Sequence, residues 1–209
     1  HTDDVTGAGA VPQRVKVDGF VTSACAGSDH SAVITGNETL WMCGWNNDGQ
    51  LGLGDTVYRS ILTAVTSIKT GPLILAAGFS STIMIDADGF VWKTGRIGGQ
   101  STTFTRVQFP DTPGSPPVSC VGVACTFQHA LCWTAEGKLY SWGVGFDGRL
   151  GHGTTESIAV PRQVQALEAV PIARAAAGAA VSLALDHNGD LWSWGAGLAL
   201  GHGGDHQSQ

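Results

Sequence analysis

Four histidines at two repeated positions are the first candidates for chemistry in this sequence. His30 and His129 share one position, and His152 and His202 share another. Imidazole nitrogens bind zinc, but every donor must then lie about 2 Å from one metal ion. Equivalent positions on successive repeats lie farther apart than shared coordination tolerates. We therefore expect no metal site and no cofactor, and we expect His30 and His129 to hydrogen-bond to the backbone within their own repeats.

Common catalytic motifs are missing from the sequence. It contains no G-x-S-x-G, P-loop or H-E-x-x-H motif, and no serine or cysteine nucleophile with a recognisable base. The formal net charge is -6, and the 11 basic residues form no run. Because binding to phosphates needs clustered Lys and Arg, we expect no direct binding of nucleic acid. The sequence offers no positive evidence for an enzyme.

The cysteines indicate a reducing environment. Their number is 5, and no pair has the C-x-x-C spacing of zinc sites or redox motifs. We expect free thiols, four of them inside strands as small apolar groups: Cys25, Cys43, Cys125 and Cys132. The apolar stretch 170–185 is interrupted by Pro171 and Arg174 and is too short to span a bilayer. We therefore expect an intracellular protein, nuclear or cytoplasmic, with no membrane association.

A tryptophan–glycine mark recurs about every fifty residues and defines the organisation of the chain. Each copy ends in a glycine: Gly44, Gly95, Gly143 and Gly195. A second mark, Gly27 to His30 in the first copy, precedes that glycine at a constant spacing. A fixed period with a fixed internal offset indicates a repeat protein.

Each repeat is expected to form a small antiparallel sheet. Three or four short apolar runs alternate with turn residues such as those at 27–29 and 36–38. One such sheet cannot bury its own faces, so successive sheets must stack, and radial stacking gives a β-propeller. A β-solenoid usually has shorter repeats. We predict an all-β propeller with these units: 1–20 as the tail of a preceding blade, 21–73 as a blade, 74–117 as a degenerate blade with a Pro-rich loop, 118–171 as a blade, and 172–209 as an incomplete blade.

A glycine-rich loop carries a family resemblance. Residues 44–54 resemble the W-G-x-N-x-x-G-Q-L-G-x-G motif of the regulator-of-chromosome-condensation repeat, and residues 143–153 repeat it with Arg149 in the glutamine position. Residues 26–31 resemble the A-G-x-x-H-[ST] element of the same family. The motif glycines within these two loops are Gly49, Gly52, Gly148 and Gly151. The resemblance spans nearly the whole chain.

The resemblance implies about four blades of a propeller type that closes with seven. The second copy departs from the pattern, because Ser81 replaces the histidine and the loop after Gly95 is lost. The fourth has Val181 in the histidine position and a shorter loop. We expect that the chain is a piece of a longer protein, or that partner chains cover the open ends of the array.

The tryptophans are interpreted as packing residues. One plant member of the family senses ultraviolet light through clustered tryptophans, in a use that resembles a G-W-R-H-T motif, and this motif is absent here. A large flat side chain at a repeated strand position is suited to packing between blades. We assign this role to five residues: Trp41, Trp92, Trp142, Trp192 and Trp194.

Asp29 is the candidate for a functional side chain. The family includes a nucleotide-exchange factor for the small GTPase Ran that has an acidic residue in a similar loop. The resemblance implies that Asp29 would compete for the phosphate and magnesium region, whereas an aspartate at this position also stabilises its own turn. We favour the turn role and predict a protein-interaction scaffold. The alternatives are exchange on a Ran-like GTPase, and docking within a larger enzyme such as a ubiquitin ligase.

Overall fold

A computed structural model describes residues 11–110, 116–126 and 128–202. These residues form four antiparallel sheets in which each strand pairs with its sequence neighbour. Blade 1 contains β1 (Val21–Ala26), β2 (His30–Thr35), β3 (Leu40–Gly44) and β4 (Arg59–Ala64). Blade 2 contains β5 (Pro72–Ala77), β6 (Ser81–Asp86), β7 (Val91–Gly95) and β8 (Ser101–Arg106).

Blade 3 contains β9 (Cys120–Cys125), β10 (His129–Thr134), β11 (Leu139–Gly143) and β12 (Ile158–Gln163). Blade 4 has three strands among the described residues: β13 (Ile172–Ala177), β14 (Val181–Asp186) and β15 (Leu191–Gly195). Short 3-10 helices occupy Phe146–Gly148, Gln165–Leu167 and Gly197–Ala199. The all-β class and the propeller arrangement of about four blades are confirmed. Residues 11–20 contain no strand, and the tail assigned to 1–20 and the other unit boundaries stay predictions.

The hydrophobic core lies between blades rather than within them. One cluster joins Ile34 and Met42 of blade 1 to Met84 and Phe104 of blade 2. A second joins blades 2 and 3, and a third joins blades 3 and 4. Every residue of β6 is buried, because its alternate side chains face blade 1 and blade 3. Burial of each large apolar side chain stabilises the array by about 1.5–3 kcal/mol.

The repeated glycine at the end of each third strand permits a close backbone approach. Gly44 has φ +107°, and a Cβ there would overlap the carbonyl oxygen of Asp29. The next residue, Trp45, donates its backbone N–H to that same carbonyl at 2.7 Å. The N–H after each of the three other glycines makes the equivalent bond to the turn of its own blade. The glycine of the tryptophan–glycine mark therefore lies where the third strand ends and its backbone contacts the turn that precedes the second strand.

Candidate functional site

The turns between the first and second strands of the blades form one continuous surface, which we call the turn face. It comprises the turns 27–29, 78–80, 126–128 and 178–180 as far as the structure describes them, and the loops that follow the third strands. Ser28 donates its backbone N–H to the carbonyl of Gly78 at 3.1 Å, and Phe79 does the same to Thr126 at 3.0 Å. The Thr126 hydroxyl donates to the carbonyl of Gly178 at 2.8 Å. A chain of hydrogen bonds therefore joins all four turns.

A buried histidine connects blade 1 to blade 2 beneath this face. His30 Nε2 lies 2.8 Å from the Thr82 hydroxyl, which donates its own proton to the carbonyl of Gln50 at 2.8 Å. Because the hydroxyl proton goes to a carbonyl, the hydroxyl must accept from Nε2–H. Nδ1 is buried and has no hydrogen-bond partner among the described residues. The ring is therefore neutral, with its proton on Nε2.

The same relay connects blade 3 to blade 4. His129 Nε2 lies 2.9 Å from the Ser182 hydroxyl, which donates to the carbonyl of Arg149 at 2.8 Å. Desolvation lowers the pKa of both His30 and His129 to about 4; the charge of Asp29 opposes this shift at His30, and Arg149 reinforces it at His129. Both histidines are structural groups that stay uncharged at neutral pH.

The expectation that these histidines bond to the backbone within their own repeats is wrong. Their partners are hydroxyls on the next blade, because the second strand begins against the neighbouring sheet. The contact therefore needs two residues: the histidine of one blade, and a hydroxyl at the residue just after the histidine position of the next blade. In blade 2, Ser81 replaces the histidine and instead accepts the N–H groups of Arg96 and Ile97, and blade 3 has Ala130 where the hydroxyl would lie. Blade 2 thus lacks the histidine N–H donor, and blade 3 lacks the hydroxyl that would accept from it.

The other two histidines have local partners in their own blades. His152 Nε2 lies 3.0 Å from the Ser141 hydroxyl, and His202 Nε2 lies 2.9 Å from the Ser193 hydroxyl. Each hydroxyl donates to a carbonyl of its own loop. Within the described part of the chain no group of three potential metal ligands occurs. The four histidines are separate structural devices, and the structure does not bring them together.

The glycine-rich loop of blade 1 packs against blade 2. Asn46 is fully buried, and its amide donates to the carbonyls of Asp55 and Val57 and accepts the N–H of Leu51. The loop then pairs with β8 through the Gly54 N–H, and a Cβ at Gly52 would overlap a ring in that blade. Most of this loop is therefore unavailable as a binding surface. It fastens one blade to the next.

The corresponding loop of blade 3 does the same through Arg149. Its side chain is 9% exposed, pairs with Asp147 at 2.8 Å and donates to the carbonyls of Phe146 and Ala179 at 2.8 and 2.7 Å. The Arg149 carbonyl also accepts the indole N–H of Trp194 at 2.8 Å. Arginine in the glutamine position thus extends the contact to the turn of blade 4. In blade 2 the shortened loop still buries Ile97 against blade 3.

The five tryptophans of the repeat mark fall into two structural classes. Trp142 is fully buried between blades, and Trp194 packs in the cluster that joins blades 3 and 4. Three others direct the indole N–H to the hairpin at the opposite end of the sheet: Trp41 to Thr35, Trp92 to Asp86 and Trp192 to Asp186. Trp192 remains 39% exposed, because β15 is the last strand of its sheet among the described residues. The hairpin aspartates escaped sequence analysis, although both precede their tryptophan by the same interval.

The accessible part of the turn face is aromatic and acidic. Trp45, Phe79 and Phe146 are 50%, 45% and 63% exposed. Asp29 is exposed beside Trp45, and its Oδ2 accepts the Ser28 hydroxyl at 2.8 Å. The aspartate thus contributes to its own turn and also presents a carboxylate to solvent. Its geometry is compatible with both roles considered from the sequence.

The five cysteines are free thiols. Cys120, Cys125 and Cys132 are buried, whereas Cys25 and Cys43 are half-buried. Burial raises the pKa of the Cys25 thiol to about 11, so the thiolate form is rare at neutral pH. No helix within the described residues is long and apolar enough to cross a membrane.

Comparison with known proteins shows which repeat family this chain is similar to. The model of the regulator of chromosome condensation (RCC1) repeat matches residues 21–50 and 136–185. The ultraviolet-B receptor UVR8 of Arabidopsis thaliana is 31% identical over 204 residues, which cover 93% of this chain and 44% of the receptor. The secretion-regulating guanine nucleotide exchange factor of Mus musculus is 32% identical, with 93% of this chain and 44% of that protein covered. The chain thus spans under half the length of these relatives.

Two further matches place the same fold in other contexts. The human E3 ubiquitin-protein ligase HERC2 is 29% identical over 84% of this chain and 4% of its own length. The crystal structure of Prp20p from Saccharomyces cerevisiae superimposes with a TM-score of 0.78 at 19% identity, covering 93% of this chain and 50% of that one. Prp20p has binding properties to Gsp1p and histones. This structural likeness supports the propeller fold.

Proposed function

Because this chain belongs to the RCC1 repeat family, we propose that it is a protein-interaction propeller whose turn face binds a protein partner. The observation that carries the proposal is the exposed pair Asp29 and Trp45. Asp29 lies on a turn that is hydrogen-bonded to the next blade, and Trp45, just after β3, donates its backbone N–H to that turn. Exposed aromatic side chains on a rigid support are typical anchors of protein interfaces, since little conformational freedom is lost on binding.

Quantitative affinity capture tests this proposal. The wild-type chain and the variants Trp45→Ala, Asp29→Ala and Val160→Ala serve as baits, and each captured protein is then purified and titrated by calorimetry. Val160 is the matched control, because it is 53% exposed on β12, away from the turn face. We expect a purified partner to bind wild type and Val160→Ala equally and Trp45→Ala at least about tenfold more weakly. Equal binding to all four baits would reject the turn face.

Nucleotide exchange on a Ran-like small GTPase is the second candidate function. Its support is the exposed Asp29 carboxylate and the similarity to a protein named as a guanine nucleotide exchange factor. Release of a fluorescent GDP analogue from Ran, with wild type, Asp29→Ala and the exposed hairpin control Asp88→Ala, tests it. Acceleration that Asp29→Ala abolishes and Asp88→Ala preserves would make exchange the primary function. No acceleration by wild type would leave only the binding role.

Docking within a larger enzyme is a third use of the same surface. It is supported by the match to HERC2, in which a segment of this kind forms a small share of a ubiquitin ligase. The free thiols support an intracellular location, nuclear or cytoplasmic, for this protein. Docking within a larger enzyme and the intracellular location are both part of the proposal. Identification of the partner that the turn face captures would test both.

A further inference from the structure

A cleft of about 800 Å³ lies between blades 2 and 3 at the end of the sheets opposite the turn face. The second-to-third-strand hairpins of the two blades form its walls, together with residues 106–110 and 116–119. We call it the hairpin-face cleft and define it by six lining residues: Phe90, Arg106, Phe109, Lys138, Tyr140 and Arg162.

The charge of this cleft is opposite to that of the chain. Arg106, Lys138 and Arg162 line it, and Glu136 is the one carboxylate among the described lining residues. None of the three cations lies within 4 Å of a carboxylate of the described residues. Asp111 lies outside those residues. The formal net charge of the whole chain is -6, so the cations form a local positive site on an acidic protein.

The cleft is built from side chains that support one another. The guanidinium carbon of Arg106 lies 3.4 Å from the centre of the Phe90 ring, which fixes the position of this cation. Phe109 and Tyr140 meet edge to face, with ring centres 5.2 Å apart and planes at 88°. The Tyr140 hydroxyl makes no hydrogen bond within the described part of the chain. Three prolines also line the cleft: Pro110, Pro116 and Pro117.

We propose that the hairpin-face cleft binds an extended acidic segment of a partner protein. Its carboxylates would pair with Lys138 and Arg162 and with the stacked Arg106, and an apolar side chain would lie against Phe109 and Tyr140. A protein segment is favoured over nucleic acid because three cations neutralise too few phosphates for stable binding. This surface is separate from the turn face, so the two sites bind independently.

Fluorescence anisotropy with a defined peptide tests the proposal. The probe is a fluorescein-labelled peptide of alternating Glu and Leu, and the matched control peptide has Lys in place of every Glu. We expect saturable binding of the acidic peptide to the 209-residue chain, with an affinity that falls as NaCl is added, because the charges are partly exposed. Binding of the Lys peptide with equal affinity would overturn the proposal, as would failure of the acidic peptide to bind.

Charge reversal locates the binding. The double variant Lys138→Glu/Arg162→Glu is expected to weaken acidic-peptide binding about tenfold, because two attractive charge pairs are replaced by repulsive ones. Arg174→Glu on β13 is the control, because Arg174 is exposed and lies outside the cleft. Circular dichroism establishes that each variant is folded, and Arg162→Gln replaces the double variant if that one unfolds. Unchanged binding in a folded cleft variant would overturn the assignment.

Turn-face variants separate this proposal from the proposed function. Trp45→Ala is expected to leave acidic-peptide binding unchanged, and Lys138→Glu/Arg162→Glu is expected to leave capture of the turn-face partner unchanged. If Trp45→Ala weakened peptide binding as strongly as the cleft variants do, the peptide would not be bound in the cleft.

Discussion

The inter-blade histidine relays show how single residues hold this propeller together. His30 and His129 each donate a hydrogen bond to a hydroxyl on the next blade, and that hydroxyl donates a hydrogen bond to a backbone carbonyl. The hydroxyl thereby gives a hydrogen-bond partner to two other buried groups, the histidine N–H and the backbone carbonyl. Where the histidine is missing, at Ser81, the hydroxyl on the next blade is missing too.

Replacement of the relay hydroxyl is expected to destabilise the chain. Thr82→Val leaves the His30 Nε2–H and the Gln50 carbonyl without a partner, which costs about 1–3 kcal/mol. Thr82→Ser keeps the hydroxyl and is expected to lose less. Thr105→Val is the control, since Thr105 is exposed and its bond to the Lys93 carbonyl is long, at 3.5 Å. Urea unfolding measures all three. An equal loss in Thr82→Val and Thr105→Val would contradict the relay.

The same histidines predict a loss of stability in acid. Their pKa is about 4 in the folded chain and about 6.5 when unfolded. Between these values the unfolded chain binds more protons, so the contribution of each histidine to the free energy of unfolding is constant above pH 6.5 and falls as the pH drops toward 4. The full loss is of the order of 3 kcal/mol per histidine.

A double variant isolates this effect from the carboxylates that titrate nearby. His30→Gln/His129→Gln retains a donor at each site but has no titratable ring, and we expect a shallower decline in urea midpoint between pH 7 and pH 5. His187→Gln, at an exposed hairpin position, is expected to keep the wild-type decline. The histidine origin of the acid effect is refuted if wild type and the double variant decline equally.

At the scale of the element, the glycine-rich loop explains why its glycines are needed. Gly49 has φ +80°, and a Cβ there would lie 2.6 Å from the Ser101 carbonyl oxygen of blade 2. Gly148 occupies the same loop position in blade 3 with φ +71°, but no described atom lies within 4 Å of its Cβ position. The two sites share a backbone conformation and differ in packing.

This pair provides a matched prediction. Gly148→Ala is expected to cost about 1–2 kcal/mol, because left-handed backbone is unfavourable for alanine. Gly49→Ala is expected to cost about 1–3 kcal/mol more, because the methyl group forces the loop away from β8. Thermal unfolding of both variants measures the difference. Equal destabilisation would mean that the loop is not tightly seated on blade 2.

Much of the element structure was accessible from sequence because the repeat aligns four independent copies. Turn residues such as those at 27–29 separated apolar runs, and the four glycines ended each third strand. The partner of each loop was not accessible. Thr82 and Phe104 are remote in sequence from the loop 44–54, and only stacking brings them against it. Only a few residues of this loop, such as Trp45, therefore remain accessible to a partner.

At the scale of the molecule, the stack leaves apolar surface at blade 4. β15 pairs with β14 alone among the described strands, and Leu191 and Leu198 are 67% and 101% exposed. An unpaired edge strand next to apolar side chains favours association with another chain.

Self-association of the isolated 209-residue chain is the expected consequence. Static light scattering is expected to give a mass above 21.6 kDa that rises with concentration. Leu191→Lys/Leu198→Lys is expected to bring the mass close to that of one chain, because charge on an edge opposes pairing. Val15→Lys is the control, since Val15 is 68% exposed and lies in no strand of the described residues. A wild-type chain that is monomeric at all concentrations would refute this prediction.

Local sequence pattern was enough to predict the repeat, the all-β class, the propeller and the positions of the strand-ending glycines. These are properties of local pattern: turn chemistry, apolar alternation and a constant period act within each copy. The contacts between blades became visible only in the folded chain: His30 bonds across to Thr82, Arg149 reaches Ala179, and Arg106 and Arg162 share a cleft. The physical reason is that stacking sets the contacts between blades, and a stacked neighbour lies about fifty residues away in the chain.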